Sequence, residues 1–130
     1  MQTKKYIVPI VLAASLTLSA CGTKDNGSEK PKEPTIAEGS KEMKQTLTDL
    51  KSQLKANEAD KVKESGEQLE ESWEKFEDSV KEKDADLYEK VETPLHTIEA
   101  GAKSKPLDAK TLTKASDELN SVLSKVEKLK

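Results

Sequence analysis

From Ser40 onward the apolar residues fall at intervals of three and four in four successive runs, a spacing that leaves few alternatives to a bundle of amphipathic helices. Met43, Leu47, Leu50 and Leu54 form the first stripe. Val62, Leu69, Trp73, Phe76 and Val80 form the second, with Gly66 at its missing position. Leu87, Val91, Leu95, Ile98 and Ala102 share one face in the third, and Leu112, Ala115, Leu119, Val122, Val126 and Leu129 alternate without a gap in the fourth. The intervening residues punctuate the pattern. Asn57 and Asp84 are placed to cap the second and third helices by accepting from first-turn N–H groups. Gly101 and Pro106 are expected to close the third helix. Asp108 caps the fourth, with Leu107 and Leu112 as a hydrophobic staple around it. Pro94 falls inside the third helix, where a missing N–H predicts a kink or break. Gly66, on the apolar face, predicts a close approach of two helices. Short connections make neighbours antiparallel. The expected fold is therefore all-α: a small up-down bundle of four helices over residues 40–130, or three if the first frays.

Composition narrows the core. Charged residues make up 36% and aromatics 3%, so the interior must be aliphatic and thin, and about 90 residues give modest stability. Trp73, Phe76 and Tyr88 are the only aromatics beyond Tyr6; the first two sit in the stripe and are expected to anchor the core. Acid–lysine pairs at i, i+4 (Glu71–Lys75, Glu77–Lys81, Asp86–Lys90 and Glu99–Lys103) decorate the outside. Every basic side chain is lysine. Without arginine forks, and with net negative charge, nucleic-acid binding is not expected.

The first 20 residues have a different logic. Lys4 and Lys5 precede an uncharged run from Tyr6 to Ala20, too short to span a bilayer comfortably and shaped like an export signal. It ends in Leu18-Ser19-Ala20-Cys21, which resembles the lipobox of bacterial lipoproteins. That resemblance implies diacylglyceryl transfer to Cys21 and cleavage just before it, leaving 20 lysines against 25 acids, a net charge of −5. Acyl chains on Cys21 would hold the protein to the outer face of a cell membrane, and the lysine-only composition leans towards a Gram-positive envelope. Residues 22–39 carry Pro31 and Pro34 and little apolar surface, and are expected to act as a flexible tether reaching about 25 Å. With one cysteine there is no intramolecular disulfide.

Two clusters could carry chemistry. Glu64, Glu67, Glu71, Glu74 and Asp78 share one face of the second helix and could attract cations, although Leu69, Trp73 and Phe76 place that face away from the core. His96 and Glu99 form an HxxE pair one turn apart, with Glu92 one turn earlier, so three potential metal ligands share a face. Val91 and Ile98 point inward, which should turn His96 outward unless Pro94 rotates the second half of the helix. A single histidine and the absence of a phosphate loop or zinc-type spacing argue against an enzyme.

The stretch from Ser72 to Leu112, with Trp73-Glu74-Lys75-Phe76-Glu77, Val80, Asp86-Leu87-Tyr88-Glu89-Lys90-Val91-Glu92, Pro94-Leu95 and Pro106-Leu107-Asp108, resembles the extracytoplasmic helical domains of bacterial iron permeases. It also looks like part of the imelysin-like domain of iron-uptake lipoproteins, whose HxxE motif is matched by His96 and Glu99. The resemblance implies a lipid-anchored component that binds iron or another divalent cation near a membrane permease. The residues leave a second reading open: a cell-envelope scaffold that docks another protein and holds no metal.

Overall fold

The computed structural model describes residues 32–130. The expected export signal, Cys21 and the expected tether as far as residue 31 lie outside the described residues. Five helices follow: α1 (Ile36–Lys55), α2 (Ala59–Glu74), α3 (Glu77–Lys83), α4 (Ala85–Lys103) and α5 (Ala109–Val126). No strand occurs among the described residues. The four long helices form the expected up-down bundle. α1 packs against α2 and α5, and α4 packs against the same two, with α3 on the side of α4. Contacts run in opposite senses along each pair: Ser65 reaches Gln53 and Ser72 reaches Glu42 between α2 and α1, while Lys44–Glu127 and Lys51–Asp117 tie α1 to α5.

The stripes become the core. Met43, Leu50, Val62, Leu69, Val80, Val91, Leu95, Ile98, Leu112 and Leu119 are completely buried. In α5 the apolar face drifts as 3.6-residue geometry requires, so Leu123 takes the buried position and Val122, expected inside, stays at the rim. α1 does not fray. It begins at Ile36, ahead of the expected Ser40, because Thr35 and Glu38 form a reciprocal capping box. Ile36 joins the core and Ser40, buried, returns its hydroxyl to the Ile36 carbonyl.

Several local expectations change. Asn57 does not cap α2; it sits at φ 57°, where asparagine is tolerated, and ends α1. Its N–H bonds the Leu54 carbonyl and the Glu58 N–H reaches Gln53, the paired bonds of a Schellman motif. Gly101 lies within α4, pressed against Leu112, and the helix continues to Lys103. Pro94 does not break α4. Asp84 and Asp108 cap α4 and α5 as expected, accepting from Leu87 and Thr111. Of the four i, i+4 pairs foreseen on the surface, Glu99–Lys103 closes, at 3.8 Å.

The largest departure is in the second helix, which stops at Glu74 and restarts at Glu77. Phe76 leaves helical geometry (φ −141°, ψ 1°). Its ring fills the space at Gly39 on α1, where a Cβ would run into it, and meets Trp73 edge-on at 5.2 Å. The break lets the Phe76 ring reach α1 while it meets Trp73, a burial that offsets the helical hydrogen bonding given up at the break. One expected prop for a continuous acidic face disappears with it, since Asp78 belongs to α3 while Glu64, Glu67, Glu71 and Glu74 belong to α2.

Candidate metal centre

α2 and α4 approach closely at Gly66. A Cβ there would stand 3.0 Å from the Ala102 Cβ, so the missing side chain is what allows the contact. Because the helices are antiparallel, the next turn of α2 brings Glu70 opposite the His96–Glu99 turn of α4, and the turn after that brings Trp73 opposite Glu92. Glu70, His96 and Glu99 each offer a ligand atom within 4.8 Å of the others. His96 is exposed, as the register of Val91 and Ile98 predicts, while Glu70 and Glu99 are half-buried.

The charges in this cleft are unbalanced. Burial raises the Glu70 carboxyl above the usual carboxylate range; the nearby Glu99, Glu92 and Glu74 charges push the same way, and His96 opposes them. The Glu70 Oε2 atom is buried and has no hydrogen-bond partner. An orphaned acceptor beside two other donors of electron pairs is a cost to the fold unless a cation or proton satisfies it. Glu77, further along, is also raised, first by burial and then by Glu92.

Glu92 behaves differently from the other three. Its Oε1 accepts from Trp73 Nε1 at 2.6 Å, and its Oε2 lies 3.3 Å from His96 Nε2. Trp73 is buried and held by Phe76 and Tyr88, the latter at 5.8 Å, so the carboxylate is fixed from the core side. The aromatic trio serves packing, as expected, and additionally supplies this one donor.

The residues fit a first-row divalent cation. Such ions hold imidazole nitrogen and carboxylate oxygen at about 2.0–2.2 Å, which requires the three side chains to draw in by roughly 1 Å. One imidazole with two carboxylates suits iron, manganese or zinc, whereas calcium and magnesium favour all-oxygen sets. Of the ligands foreseen in the sequence, the structure brings together His96 and Glu99, ties Glu92 to Trp73 and His96, and adds Glu70. The acidic face of Glu64, Glu67, Glu71, Glu74 and Asp78 is exposed throughout and does not converge, and Glu67 pairs with Lys63 at 3.7 Å. No helix among the described residues is long and apolar enough to cross a membrane. No protein-family profile, curated protein or solved structure matches the chain.

Proposed function

We propose that this protein is a lipid-anchored accessory component on the outer side of a cell membrane, binding a divalent transition-metal cation, iron foremost, for an uptake system. The convergence of Glu70, His96 and Glu99 around an unpaired carboxylate oxygen carries the metal reading. The mixed nitrogen–oxygen donor set admits iron, manganese or zinc, and the resemblance of residues 72–112 to iron-uptake domains puts iron first among them. The anchor rests on Leu18-Ser19-Ala20-Cys21 behind its apolar run.

Each half has its own test. Cells expressing the full chain and fed labelled palmitate should incorporate it, and Cys21→Ser should abolish the label and release the protein from membranes. Continued membrane attachment of the variant would refute the anchor. For the site, residues 22–130 contain every core residue of the bundle. Calorimetric titration with ferrous, manganous or zinc ions should give one site per chain with a dissociation constant near micromolar, about −8 kcal/mol. His96→Ala should weaken it by at least a hundredfold. Binding no tighter than millimolar in the unaltered chain would leave the docking-scaffold reading in its place.

A further inference from the structure

Glu92 is the residue whose position least fits a ligand. One of its oxygens accepts from the indole N–H of a buried tryptophan, and the other lies 3.3 Å from His96 Nε2. It is also outside the trio whose donor atoms converge. A carboxylate held from the protein interior and standing beside one nitrogen of an imidazole is placed to orient it: in metal sites, a hydrogen bond of this kind fixes the ring and its tautomer and raises the basicity of the other nitrogen.

We infer that Glu92 is the positioning residue of the Glu70–His96–Glu99 centre, holding His96 through Nε2–H so that Nδ1 is the nitrogen presented to a divalent cation. This rests on the metal reading above and adds to it the identity of the donor atom. Trp73 is thereby part of the same device. Its indole occupies Glu92 Oε1 and restricts the carboxylate to one orientation, which an exposed glutamate on a helix would not keep. The sequence spacing places Glu92 four residues before His96 and Glu99 three after, both about one turn away, and the structure separates their roles: Glu92 is bound by the Trp73 indole while Glu99 converges with Glu70.

The chain contains one histidine and one tryptophan, so each gives a single unambiguous probe. Nitrogen-15 NMR of residues 22–130, above the histidine pKa range at about pH 8, is followed with and without zinc. The expected result is a zinc-induced shift confined to His96 Nδ1, with Nε2 remaining protonated and the Trp73 indole proton keeping its hydrogen-bonded shift. Glu92→Ala should retain one zinc per chain but bind it ten- to a hundredfold more weakly, with the indole resonance moving upfield. Glu92→Gln, which keeps one acceptor, should recover part of that loss. Zinc coordination through Nε2, or a loss in Glu92→Ala as large as that in Glu70→Ala, would make Glu92 a ligand and overturn the inference while leaving the centre intact. Zinc that perturbs neither nitrogen would remove the centre itself, and the role of Glu92 with it.

Discussion

Glu70→Gln should lose the cation and gain stability without it. Glutamine keeps the shape of the side chain but removes the charge that burial and the Glu99, Glu92 and Glu74 carboxylates disfavour. In the unaltered chain the folded-state pKa of Glu70 lies above its ordinary value of 4.5. Its contribution to stability is therefore fully present below pH 4.5, declines as pH rises through the raised folded value, and is absent at neutral pH. The variant should not show that decline. Since the side chain is only partly buried, solvent screens much of the repulsion, and the gain at neutral pH should be a few tenths of a kcal/mol, or about 1–2 °C in Tm. With metal the order reverses. A cation at a hundred times its dissociation constant stabilises the unaltered chain by about 2.7 kcal/mol, more than 10 °C for a domain of this size, and should barely move the variant. Thermal melts with and without zinc, run on both chains, make the comparison. Equal melting temperatures without metal and equal shifts with it would show that Glu70 is neither strained nor a ligand.

Glu70 also marks the limit of what the sequence conveys. The helical stripes, the caps at Asp84 and Asp108, the Leu107–Leu112 staple and the close approach at Gly66 are local patterns. Each follows from the spacing or chemistry of a few neighbouring residues; the stripes, both caps and the Gly66 approach are present in the structure, and Leu107 packs against the core that contains Leu112. His96 and Glu99 are legible for the same reason, being one turn apart on one helix. Glu70 reads as one more acid flanking an exposed row. Its signal is weak but physical: it lies one turn beyond Gly66 and one turn before Trp73, so it borders the face that meets α4. Only the antiparallel register of α2 on α4 sets it against Glu99, and register is a property of the packed bundle. The break at Lys75–Phe76 escapes for a related reason. No glycine, proline or capping side chain announces it, and its cause is the fit of the Phe76 ring to Gly39, 37 positions away in the chain.

Because that register rests on Gly66, Gly66→Leu should damage the fold and the site together. The Ala102 Cβ already stands 3.0 Å from where a Cβ would lie, with the Ile98 carbonyl behind it at 4.0 Å, and both residues are buried. Alanine at this position gains about 1 kcal/mol in helix propensity over glycine and loses a similar amount to the tight contact, so Gly66→Ala should be close to neutral. Leucine gains nearly the same propensity but brings three further carbons into a space with no room for them. The helices must separate, at a cost of about 3 kcal/mol or more, for a net loss of roughly 2 kcal/mol and a Tm lower by about 8–16 °C. Separation at Gly66 also carries Glu70, one turn further along α2, away from His96 and Glu99. Cation affinity should therefore fall at least tenfold although every ligand remains, and Gly66→Ala should bind as the unaltered chain does. Melting and zinc titration of the three proteins test both consequences. A leucine variant that melts with the unaltered chain and binds zinc equally well would mean that α2 and α4 do not close on each other at Gly66, and the proximity that assembles the centre would have no basis.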